Sequence, residues 1–131
     1  VRFSAGGRAT RVAYFDGMAF RRDYIERMIQ KLAEAIARAL GLARAGRGEE
    51  GIELLEDAVA SGFGMPLPML LQLTPQTLLS LFRKERALHL AEALRAHHGM
   101  LELAGRADEA ERSETLARSL ETLAGAQSTM R

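Results

Sequence analysis

Cysteine and tryptophan are missing from this 131-residue chain, and its three prolines all fall between residues 66 and 75. Without cysteine there is neither a disulfide framework nor a thiolate metal site, which fits a reducing compartment. No apolar run approaches the ~18 residues that cross a bilayer, and the N-terminus lacks the uninterrupted apolar stretch of a signal peptide. These absences lead to the expectation of a soluble, cytoplasmic protein that engages no membrane. The length suits one domain, able to close a core without metal or disulfides.

Aromatic side chains are few as well, and five of the seven (Phe3, Tyr14, Phe15, Phe20 and Tyr24) crowd into the first 24 positions. Gly6-Gly7 and scattered arginines share this stretch, which shows no helical period. Alternation from Val12 to Tyr14 predicts a short strand or a docking arm within residues 1–20, and Met18 offers an alternative start that would make what precedes it an extension. The formal charge of +1 hides an asymmetry. Residues 1–47 carry ten Lys/Arg against four Asp/Glu, and residues 48–131 carry eight against thirteen. Such blocks are most often solvated faces of mixed sign. A basic N-terminal portion also suits acidic partners, among them nucleic acid or the acidic remainder of a neighbouring copy.

From Asp23 helical spacing takes over. Asp23 and Glu26 have the pattern of a capping box, and Ile25, Met28, Ile29, Leu32, Ile36, Ala39, Leu40 and Ala43 recur at steps of three and four. They predict a long amphipathic helix ending at Gly46. Glu49 and Glu50 favour the start of a second helix with Ile52, Leu55 and Val59 on its buried stripe and Gly62 at its end. No regular element crosses Gly62 to Pro68. Met69 to Leu73 predicts a helical turn, and Thr74-Pro75 an N-cap and first position of a short helix through Phe82. Arg83 to Arg86 bends the path. Leu88, Ala91, Leu94, His98 and Leu101 then trace another long helix, stopped at Gly105. Asp108-Glu109 opens the last helix, with Ala110, Ala117, Leu120, Leu123 and Ala124 on its face. A single helical domain over residues 21–125 and a frayed tail over 126–131 complete the layout.

One phrase occurs twice: Leu42 to Gly51 and Leu101 to Ala110 share the core Ala-Gly-Arg-x-acid-Glu-small, 59 positions apart. Each copy lies between a long apolar-periodic segment and an acidic one, the layout of two helices joined by a tight glycine turn. A tetratricopeptide repeat has a period of 34 residues, so about 25 residues are inserted between the copies, and the break with its short helix supplies them.

Aligned on Gly46, the first unit resembles a tetratricopeptide repeat, with Gly51 and Ala58 at its small positions and Leu55 at the large apolar one. Aligned on Gly105, the second puts Ala110 and Ala117 at the small positions but Glu114 at the apolar one. Ala35 and Leu94 replace the aromatic usual in the first helix. From Phe20-Arg21-Arg22-Asp23-Tyr24-Ile25 onward, with Met28-Ile29 and Leu40-Gly41-Leu42, the chain is also similar to a group of small uncharacterised bacterial helical proteins with tetratricopeptide-like pairs. The resemblance implies protein–protein interaction and no enzyme activity.

Other motifs fit less well. Gly46-Arg47-Gly48-Glu49-Glu50-Gly51 matches the letter of a dinucleotide-binding turn, yet it follows a helix where that motif needs a strand, and two glutamates stand where an anion approaches. Gly41 to Gly46 spaces its glycines like a phosphate loop, but Arg47-Gly48 stands in place of Lys-Ser/Thr. Glu85, His89 and Glu92 share a helical face, a pattern that exposed charge pairs produce without metal. His98 falls on the apolar stripe and reads as a hydrogen-bonded core histidine. No serine or threonine is placed by sequence beside a base and an acid. Arg2, Arg8, Arg11, Arg21, Arg22 and Arg27 interleave with aromatics that could stack on bases, the alternative nucleic-acid reading. Glu49, Glu50, Glu53, Glu56 and Asp57 on the second helix oppose it in a groove. The apolar run Phe63 to Phe82 fills the space between the units or covers a dimer surface.

The fold expected is all-α: two antiparallel helical hairpins, tetratricopeptide-like, with a short linker helix between them. The function expected is a non-catalytic protein-binding module without cofactor or metal, for a protein or peptide partner or a second copy. In the repeat analogy the first helix of each hairpin lines the binding face, which nominates Ile36, Leu40 and Arg44 from one, and Glu92, Arg95 and Glu102 from the other.

Overall fold

A computed structural model describes the backbone of residues 2–129 and the side chains of residues 22–126. Five helices and no strand occur among the described residues: α1 (Arg2–Arg44), α2 (Gly48–Phe63), α3 (Leu67–Leu70), α4 (Pro75–Leu103) and α5 (Ala107–Thr129). The all-α expectation holds. No described helix is long and apolar enough to cross a membrane.

Several boundaries differ from those expected: α2 runs one residue past Gly62 to Phe63, and the helical turn expected over Met69 to Leu73 lies at Leu67–Leu70. The backbone around Val12 to Tyr14 is helical rather than extended, because α1 runs without interruption from Arg2. No proline precedes residue 66, so nothing in the chain forbids an N–H···O ladder there once the downstream helix has nucleated. How that stretch docks lies outside the described side chains. Asp23 caps nothing; it is interior to α1, and its carbonyl accepts a 3.4 Å bond from Arg27 Nε. The tail expected to fray from Gly125 continues as helix to Thr129.

The two glycine corners repeat hydrogen bond for hydrogen bond. Arg47 N–H donates to the Leu42 carbonyl at 2.8 Å and Gly46 N–H to Ala43 at 3.2 Å; 59 positions later Arg106 N–H donates to Leu101 at 2.9 Å and Gly105 N–H to Glu102 at 3.0 Å. This double closure satisfies helix-end carbonyls and requires a left-handed residue, supplied by Gly46 (φ 80°) and Gly105 (φ 78°). Side chains repeat too: Arg47 pairs with Glu50, and Arg106 with Glu109. Arg106 also reaches Glu49 at 3.0 Å, tying the second corner to the start of α2. Along α4 and α5 partners run in opposite order, Arg95 with Glu121, His98 with Glu114, and Arg106 with Glu109.

Between the corners the apolar insert closes the core. Phe63, Leu67, Leu70, Leu78, Leu79 and Phe82 are buried, whereas Met69 and Leu81 remain exposed. Thr74 caps α4 as expected, its hydroxyl accepting from Thr77 N–H at 3.1 Å with Pro75 following. At Arg83 the helix bends through φ 64°, ψ 168°, a conformation that glycine alone adopts readily. Arg86, just past the bend, donates to the Gly62 carbonyl at 2.7 Å, and its guanidinium lies 5.3 and 5.1 Å from the ring centres of Phe63 and Phe82. One side chain thus fastens the end of α2 to the bend in α4.

Candidate functional site

α1 and α2 enclose an open groove of about 440 Å³. Tyr24, Met28, Leu32 and Ala35 line it from α1, and Leu54, Ala58 and Ser61 from α2, with Lys31, Glu34, Arg38 and Asp57 along it as charged members. Apolar residues beside charges of both signs suit a polypeptide segment better than a small polar molecule. Tyr24 is about half exposed, offering an aromatic surface with a polar tip.

The second helix pair explains why this groove is open. Moving 59 positions carries Lys31, Ala35 and Arg38 to Leu90, Leu94 and His97, and Leu54, Ala58 and Ser61 to Ser113, Ala117 and Leu120. All six of these second-pair residues are buried. Where α4 and α5 fill their seam with leucines, α1 and α2 place an alanine, a serine and two long cations that keep their heads in water. Of these four, Lys31, Arg38 and Ser61 are exposed and Ala35 is buried.

The filled seam holds a polar chain that sequence reading missed. His97 Nδ1 lies 2.8 Å from Ser113 Oγ and His97 Nε2 lies 2.9 Å from Glu56 Oε2. With the Nε2 proton donated to the carboxylate, Nδ1 accepts from the serine hydroxyl, and every member is satisfied. The order of groups is that of a serine–histidine–acid triad with the two ring nitrogens exchanged, but the serine has no exposed surface and the chain meets solvent mainly at Glu56. An attacking oxygen needs room for an incoming carbonyl. Buried between α4 and α5, this one has none, and the chain instead links α2, α4 and α5. The signal for it was the 4-3-4 spacing of Leu90, Leu94, His97 and Leu101. The expected stripe instead runs through Leu88 and His98. His98 is instead a partly exposed bridge, with Nδ1 2.9 Å from the Ala110 carbonyl and Nε2 near Glu102 and Glu114. Glu114, at odds with the repeat pattern, is the carboxylate that meets His98 and Arg118.

The six residues nominated for a binding face do not gather at the groove. Ile36 and Leu40 are half-buried against the core, and Arg44 is exposed in the last turn of α1. Arg95 is held by both carboxylate oxygens of Glu121, at 2.7 and 2.5 Å, which raises its pKa and lowers that of Glu121. Glu102 meets His98, and Glu92 is exposed. Among the described residues no group of three His, Cys, Asp or Glu is placed to hold a metal ion. No family model, curated protein or solved structure matches this chain.

Proposed function

We propose that the protein is a non-catalytic docking module, built from two tetratricopeptide-like hairpins, whose α1–α2 groove receives a segment of a protein partner. The observation that carries this reading is the contrast between equivalent positions: Leu90 and Leu120 are buried in the second pair, while Lys31 and Ser61 are exposed along the groove of the first. The closed corners, fastened by glycine geometry and ion pairs, make a stiff frame for an open surface. The serine–histidine–acid chain supports a structural role because its serine is sealed.

A photo-crosslinking amino acid at Ser61, compared with one at exposed Thr115 on α5, tests the reading in cells that express the protein. A discrete protein adduct from Ser61 and none from Thr115 is expected. Equal adducts from both positions, or adducts of nucleic acid, would contradict it, as would labelling of Ser113 by a fluorophosphonate.

A further inference from the structure

We propose that the segment seated in the groove is the N-terminal part of α1 from a second copy of this chain, the two copies exchanging these parts in a symmetric dimer. This rests on the groove being a docking site, and it names the occupant.

Length supplies the first argument. α1 has 43 residues and α2 has 16. Tyr24 shares the groove with Ser61 and Gly62 in the last turns of α2. Some 22 residues of α1 therefore precede the groove, about 33 Å of helix at 1.5 Å per residue. A continuous helix that forms one wall of a groove does not fold back into it, so this stretch reaches such a groove only on another molecule.

Charge supplies the second. α2 carries five carboxylates and no lysine or arginine. Arg106 holds Glu49, Arg47 holds Glu50 and His97 holds Glu56. Glu53 and Asp57, both exposed and one helical turn apart, have no ion-pair partner among the described residues, and they flank Leu54 of the groove. The sequence of residues 2–22 is the complement: Arg2, Arg8, Arg11, Arg21 and Arg22 against Asp16 alone. Arg8 and Arg11 stand one turn apart, followed by Tyr14, Phe15 and Met18 as apolar material for the groove. Two such stretches repel each other side by side, so the acidic helix is the better seat. Reciprocal exchange about a two-fold axis closes the assembly at two copies.

The test uses the full chain and two charge-reversed variants, Arg8→Glu/Arg11→Glu and Glu53→Arg/Asp57→Arg, with melting curves to verify that each folds. Sedimentation equilibrium should give twice the chain mass for the unmodified protein. Each variant alone should dimerise roughly tenfold or more weakly, and an equimolar mixture should recover the dimer, because the reversed segment then meets the reversed seat and the native segment the native seat. A monomer for the unmodified chain would overturn the exchange, as would a dimer indifferent to both reversals or a mixture that stays apart. A monomer that still crosslinks from Ser61 to another protein would sink the exchange and leave the docking reading standing.

Discussion

A methyl group added to Gly51 would lie 2.6 Å from the Ala39 carbonyl oxygen and 2.8 Å from Met100 Cε, where α1, α2 and α4 converge. The methionine can swing away, but the carbonyl belongs to a helix and cannot. Gly51→Ala is expected to cost roughly 1–3 kcal/mol, read as a lower urea midpoint with an unchanged slope. Arg83 gives the opposite sign. Its left-handed, extended backbone is strained for any side chain, and Arg83→Gly should raise stability by about 1 kcal/mol after the entropy of glycine in the unfolded chain is subtracted. Ser113→Ala strips His97 Nδ1 of its partner inside the core and should cost about 1–3 kcal/mol while leaving groove binding intact. Of these residues, Gly51 was legible as the small position of a repeat. Ser113 was not, since a serine within Glu111-Arg112-Ser113-Glu114-Thr115 announces neither burial nor a histidine 16 positions away.

At the level of elements, the corner phrase told most. Gly-Arg-x-acid-Glu encodes a left-handed stop, an N-terminal carboxylate and an arginine within reach of it, all local interactions, and both copies fold alike. The N-terminal half of α1 was missed for the complementary reason: its residues lack apolar periodicity, and its helix continues from a neighbour rather than from a pattern of its own. Ala91, Leu94 and Leu101 of the expected α4 stripe are buried, but Leu88 and His98 are not; the 4-3-4 spacing through Leu90 and His97 marks the buried face better. If missing bulk opens the groove, restoring it should close it. Lys31→Leu with Ser61→Leu, copying Leu90 and Leu120 of the second pair at exposed groove positions, is expected to keep or raise the melting temperature while abolishing crosslinks at neighbouring groove positions. The Arg95–Glu121 pair joins α4 to α5, and the guanidinium hydrogen bonds hold the Glu121 carboxyl below its ordinary range. A lowered folded pKa stabilises above the unfolded value and is lost as pH falls through the folded one. Arg95→Ala should therefore lose a small increment at neutral pH, most of it screened at this exposed site, and nothing once the medium is acid enough to protonate Glu121.

For the whole molecule, all-α architecture and the order of long helix, corner, helix, insert, long helix, corner, helix were readable from periodicity and punctuation. The groove was not. It depends on comparing equivalent positions in the two pairs, and only coordinates reveal that Leu90 and Leu120 are buried while Lys31 and Ser61 line an open groove. The six residues nominated by analogy miss it because α1 turns Ile36 and Leu40 toward the core and α5 takes up Arg95. The central claim is that the open seam of the first pair is where a polypeptide docks. Hydrogen–deuterium exchange, comparing the chain bound to whatever Ser61 crosslinks with the free chain, tests it most directly. Added protection over residues 24–38 and 54–62, joined by residues 2–22 when the occupant is a second copy, is the predicted result; protection centred on the α4–α5 seam, or none in α1 and α2, would contradict it.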